Sequence, residues 1–210
     1  MDKSSPKDNK KRPGQAVRKR MTREERYRQL IATAWQIVRE DGTAALTLGR
    51  LAEQSMVAKP VVYDHFPNLH TLLIALYKEF DDRQTSIMDM TLEASEPSLA
   101  GRAAAISSSY VDCVLVQGRE IPGIIAALAS SPELEKIKRS CQATYMEKCR
   151  IALTPFAAVD CIPAASLWAM LGAAEALSQA AALGELSEAQ AKNELYETIV
   201  AIVRRTSGKA

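Results

Sequence analysis

Between positions 47 and 66 the chain carries Thr47, Arg50, Lys59, Pro60, Val61, Tyr63 and His65. Their chemistry suits a surface that mixes phosphates, ring acceptors and methyl groups. Arg50 and Lys59 are cations able to reach a phosphate or a guanine edge. Pro60 and Val61 present only carbon, which matches thymine methyl groups. Thr47, Tyr63 and His65 supply donors for phosphate oxygens. Taken singly, each is more often a solvated charge or a packing residue. Taken together, within twenty residues, they read as a face for double-stranded DNA, with Leu51, Ala52, Val62 and Phe66 as the core behind it.

Other chemistries find little support. His65 and His70 are five residues apart and off one helical face, so they do not make a metal pair. There is no glycine-rich phosphate loop, no nucleophile elbow and no carboxylate pair in a credible setting. No metal, cofactor or catalytic role is expected. Cys113, Cys141, Cys149 and Cys161 lack CxxC spacing. Cys141 and Cys149, if on one helix, are separated by ~12 Å of rise, too far for a disulfide. The N-terminus is polar and basic without an apolar signal core, so a reduced, cytoplasmic protein is expected.

The elements that must position the DNA face follow from periodicity. Tyr27, Ile31, Ala34 and Val38, widened by Leu30 and Trp35, mark an amphipathic helix closed by Gly42. Thr47 is a good N-cap, with Leu46 and Leu51 in the positions of a hydrophobic staple. A second short helix begins near Ala58, with Val57 and Val62 as its staple and Pro60 tolerated in the first turn. Two short helices about a tight turn form a helix-turn-helix, the device that sets a helix in the major groove. After Pro67 and Asn68, Leu69, Leu72, Leu73, Leu76 and Phe80 mark a long helix.

Helical segments then run from Pro97 to about Gln117, broken by Gly118 and Pro122. They continue over 123–129, 133–153, 163–183 and 187–205. No segment alternates with a period of two, so the fold class is all-α. Residues 162–183, low in charge, hold Glu175 and Gln179 and read as a buried soluble helix rather than a membrane span.

Charge is distributed unevenly. Residues 1–20 hold eight cations against two acids and read as a disordered basic arm. Residues 21–66 balance six against six, and the remainder is mildly acidic. A neutral head gains little from counterion release, so the arm is the natural source of salt-dependent affinity.

From Thr22 to about Phe80 the chain resembles the TetR family of bacterial transcriptional repressors. The likeness rests on Thr47, Leu51-Ala52, Val57 and the ending Tyr63-Asp64-His65-Phe66. There are departures. The family usually has glycine in the turn, where this chain has Met56. Its usual Ser or Thr cap of the recognition helix is Ala58, and a common Lys at the start of the fourth helix is Leu69.

The resemblance implies a head at 21–68 and a helical domain at 69–210 for effector binding and dimerisation. It implies a homodimer through the last two helices, for which Ala164, Ala165, Ala169, Gly172, Ala173 and Ala176 allow close approach and Leu195, Ile199 and Ile202 give an apolar stripe. It also implies a cavity for a small-molecule effector between the middle helices. Candidate lining residues are Phe80, Tyr110, Cys113, Tyr145, Met146, Trp168 and Leu171, with Glu175 as polar anchor if buried. Two rival readings stand beside a dimeric, ligand-released repressor on a palindrome. One is an effector-independent architectural DNA-binding protein; the other is a helical carrier or enzyme.

Overall fold

The computed structural model describes residues 21–117, 120–129, 131–158 and 161–207; the basic arm and Gly118 lie outside the described residues. The fold is all-α. Its helices are α1 (Arg23–Asp41), α2 (Leu48–Gln54), α3 (Lys59–His65), α4 (Leu69–Ala94), α5 (Leu99–Gln117), α6 (Ile121–Ala127), α7 (Pro132–Leu153), α8 (Ala164–Ala182) and α9 (Glu188–Ser207). Short 3-10 turns lie at Thr43–Ala45 and Thr154–Phe156, neither anticipated from periodicity.

Capping sets the start of most helices. Thr22 closes a capping box on α1: its hydroxyl accepts from the Glu25 N–H at 3.1 Å, and its own N–H donates to Glu25 at 2.7 Å. Such a cap stabilises by about 1 kcal/mol. Gly42, at φ 81°, ends the helix. Asn68 caps α4 and Ser131 caps α7 through N–H groups at 2.9 and 3.2 Å. Helix α5 ends at Gln117, as the break around Gly118 and Pro122 suggested. The next helix starts two residues earlier than expected, with Pro122 in the first turn of α6, where no intrahelical N–H bond is lost.

Two apolar clusters divide the molecule. The first joins α1, α2, α3 and the start of α4 to Cys113, Ile121, Ile124, Leu128 and Leu134. The head's core therefore continues past residue 68 into α6 and the start of α7. The second cluster is built on α5, α8 and α9 with Cys149, Leu153 and Ile162. Helix α5 packs on α9, α4 and α8. By length and composition alone its window 99–116 (mean hydropathy 1.2) would suffice to cross a membrane.

The stripe Leu195, Ile199 and Ile202 is buried inside the chain at 0, 0 and 4% exposure. Its partners are α5 and α8 of the same subunit, not a second copy. The small residues of α8 divide differently. Ala174 is buried, whereas Ala164, Ala165, Ala169, Gly172 and Ala176 face outward.

Candidate DNA-binding head and ligand cavity

The turn between α2 and α3 is built by backbone hydrogen bonds. Val57 N–H donates to the Ala52 carbonyl at 2.9 Å, and Met56 N–H to Glu53 at 3.1 Å. These are the paired bonds of a Schellman motif, which requires a left-handed residue between them. Met56 occupies that position at φ 53°. The Gln29 side-chain amide then donates to the Ser55 carbonyl at 3.1 Å, tying the turn to α1. Ala58 begins α3 without a side-chain cap.

Helix α3 has one face in and one out. Val62 and Phe66 are buried at 0 and 2%, while Lys59, Pro60, Asp64 and Tyr63, the last 50% exposed, face solvent. Lys59 and Tyr63 are one turn apart on this outer face. Val61 is half-buried. Thr47 is exposed, and its hydroxyl caps α2 by accepting the Arg50 N–H at 3.1 Å. The Arg50 guanidinium is not free: it pairs with Asp41 at 2.5 Å. An exposed pair of this kind is worth about 1 kcal/mol or less, so a phosphate can compete for it.

His65 is half-buried, its ring 6.2 Å from those of Tyr27 and Phe66. Burial, with Arg23 nearby, holds its pKa below the ordinary histidine value, against a weaker opposing pull from Asp64. The outer face holds one cation and one acid, so α3 carries no net attraction for a polyanion. Met56, 92% exposed beside it, is a further apolar group on this side that residue types alone did not mark.

At the border of the two apolar clusters lies a cavity of about 450 Å³. Helices α4, α5, α6, α7 and α8 contribute to its wall. Tyr77, Phe80, Tyr110 and Tyr145 form the aromatic part, with Tyr110 and Tyr145 edge-on at 5.1 Å. Ile121, Pro122 and Ile125 form the wall from α6, and Leu171 that from α8. Polar groups enter from Asp81, Gln84, Lys138, Gln142 and Glu175.

Three expected lining residues lie elsewhere. Cys113 is buried in the head's cluster, because Val114, four residues after Tyr110, takes the cavity-facing position. Met146 packs on the second cluster, one residue around the helix from Tyr145. Trp168 is 51% exposed; it stands seven residues before Glu175, about 10 Å along the axis and beyond the cavity. Glu175 is exposed rather than buried, and accepts from the Gln142 amide at 3.2 Å.

Residues 30–82 match the bacterial regulatory proteins of the tetR family. The head is that of a TetR-family transcriptional regulator. The fold extends the likeness across the chain. A transcriptional regulator from Rhodococcus sp. RHA1 superposes with a TM-score of 0.71 at 15% identity, over 88% of this chain and 99% of that one. A TetR-family transcriptional regulator from Streptomyces coelicolor gives 0.67 at 15%, over 86% and 95%. The fatty acid degradation regulator FadR from Bacillus halodurans gives 0.67 at 14%, over 83% and 94%. No curated protein matches the chain in sequence.

The head and the cavity share α6. Ile121, Pro122 and Ile125 face the cavity, while Gly123 lies against the Thr43 side chain so closely that a Cβ there would overlap it. Glu120, just before α6, is 3.5 Å from Arg39 of α1. One more contact joins head and body: the Trp35 indole donates to Glu79 at 2.7 Å. Within the body, the His70 ring on α4 lies 3.3 Å from both Ser131 and Glu133 at the start of α7.

The cavity residues that the sequence did not single out had a signal. Tyr77, Asp81 and Gln84 share one face of α4, and Lys138, Gln142 and Tyr145 share one face of α7, at i, i+4, i+7 spacing. What periodicity lacks is which polar face turns inward.

Proposed function

We propose that this regulator is a homodimeric repressor that reads a near-palindromic operator and is released from it by a small molecule. The observation that carries this reading is the double role of α6, which is at once a wall of the cavity and a support of the head through Gly123 and Glu120. A ligand that fits the cavity better with α6 displaced shifts the population toward heads that cannot dock; the shift is limited by the ligand's differential affinity for the two states. Base readout is assigned to Lys59, Pro60, Val61 and Tyr63, with Arg50, Thr47 and His65 on phosphates.

The outer face of α8 supports dimerisation. Trp168 and Leu183 are 51 and 65% exposed, and Gly172 has open space where a side chain would stand. A large exposed aromatic beside small residues is a composition suited to a protein interface. Two heads so joined present their α3 helices about 34 Å apart, one turn of duplex. A cytoplasmic location goes with this proposed contact to DNA.

Selection from random duplex DNA, with sequencing of the bound fraction, tests this. A two-fold symmetric motif is expected, with Lys59→Ala weakening its binding by roughly 5- to 150-fold. Binding without sequence preference would favour an architectural role, and absence of binding would defeat the reading.

A further inference from the structure

The cavity wall carries two carboxylates, Asp81 and Glu175, that make no ion pair among the described residues. The Asp81 carboxylate, half-buried, lines it and makes no ion pair among the described residues; its side-chain partner is the Cys141 thiol. Burial raises the Asp81 pKa, with Asp82 adding like charge, and drives the Cys141 thiol up to about 12. Glu175, across the cavity on α8, has a hydrogen bond from Gln142 but no cation. Lys138 is the one cation of the described lining, and its ammonium lies 3.7 Å from Glu135, which offsets it. The groove on the other side of Asp81 and Cys141 holds Lys78 and Lys136, matched by Asp82 and Glu133.

Aromatic rings line the same cavity as the carboxylates. Tyr77, Tyr110 and Tyr145 all line the cavity. The Tyr145 hydroxyl is buried without an ordinary hydrogen-bond partner, having only the weakly polar Cys149 thiol beside it. For Asp81, half-buried and without an ion pair among the described residues, partial loss of water makes the ionised form costly until a cation arrives. Tyrosine faces attract cations by their quadrupole, more strongly when water is excluded.

We propose that the cavity takes an organic cation: an amphipathic amine or quaternary ammonium compound with its charge between Asp81 and Glu175 and its apolar part against the tyrosines and α6. The inference rests on the reading of this cavity as the effector site. The volume suits a molecule of drug size. A fatty carboxylate of the same shape would bring a third negative charge to a described lining that already sets two carboxylates against one lysine.

The test titrates the full chain calorimetrically with decyltrimethylammonium, decanol and decanoate, all below micelle-forming concentration. The three probes share a chain and differ in charge. One cation per subunit is expected to bind about tenfold more tightly than decanol, and decanoate more weakly than either. Asp81→Asn removes the advantage of the cation and leaves decanol unchanged; should that variant fail to fold, Glu175→Gln reports the same loss. Decanoate binding as tightly as the cation, or a cation preference that survives both substitutions, overturns the proposed class while leaving the cavity a binding site. Failure of all three probes to bind overturns the class and the effector site together. Because none of these readouts involves DNA, a negative result here is separable from failure of operator recognition.

Discussion

Met56 shows how much one side chain can be asked to tolerate. A Schellman turn needs a left-handed residue, and the chain fills it with a methionine that packs on nothing. That conformation costs a non-glycine residue roughly 1–2 kcal/mol. Glycine avoids the cost but makes the unfolded chain more flexible, giving back about 0.4–1 kcal/mol. Met56→Gly is therefore expected to raise stability, by up to about 1.5 kcal/mol in urea melts. His65 gives a pH dependence of definite sign. Its folded pKa lies below the ordinary 6.5, so the unfolded chain takes up its proton first. The stability it contributes is complete above that ordinary value and is lost as pH falls through the lowered one. Thermal melts between pH 7.5 and 5 should drop more steeply for the native chain than for His65→Gln; parallel curves would contradict the assignment. At this scale the sequence was readable where a residue acts with its neighbours, as in the Thr47 cap or the staple of Leu46 and Leu51. It was not readable where action depends on distant chain, as in the pairing of Arg50 with Asp41.

Among the elements, α6 is the one whose importance outruns its length. Seven residues long, it belongs to the head's apolar cluster through Ile121 and Ile124 while also walling the cavity. Its contact with Thr43–Ala45 depends on Gly123 having no side chain. Gly123→Val should push α6 away from that turn. Overpacking of this kind costs roughly 1–3 kcal/mol, and operator affinity should fall even without ligand. Thr43→Ala removes the overlapping hydroxyl and should recover part of both losses, whereas a Gly123 effect indifferent to Thr43 would exclude direct contact as the cause. Element order was legible because proline, glycine and N-cap residues mark nearly every boundary. Around Pro122 the break was legible but the start of α6 was not, because proline is tolerated in a first turn and sequence alone does not say where that turn falls.

For the whole molecule the ambiguous question is which apolar surfaces meet within the chain and which await a partner. Both uses need the same residues at the same spacing. Leu195, Ile199 and Ile202 read equally well as a dimer stripe and as core, and the fold spends them on core. The exposed side of α8 is different: Trp168 is 51% exposed, and a Cβ at Gly172 meets nothing within 4 Å among the described residues. Gly172 separates the alternatives cleanly. Nothing lies within 4 Å of a Cβ placed there, so Gly172→Leu introduces no clash in one subunit. Within an isolated helix it should even stabilise, by up to about 1 kcal/mol, since glycine is a poor helix former. Across a two-fold seam the same leucine appears twice at the point of closest approach and holds the helices apart. Sedimentation equilibrium should therefore show the native chain as a dimer and Gly172→Leu dissociating at much higher concentration, with its helical content intact. Operator binding should weaken in parallel, because one head alone spans only half a site. A variant that gains thermal stability while associating as before would place the seam on some other face.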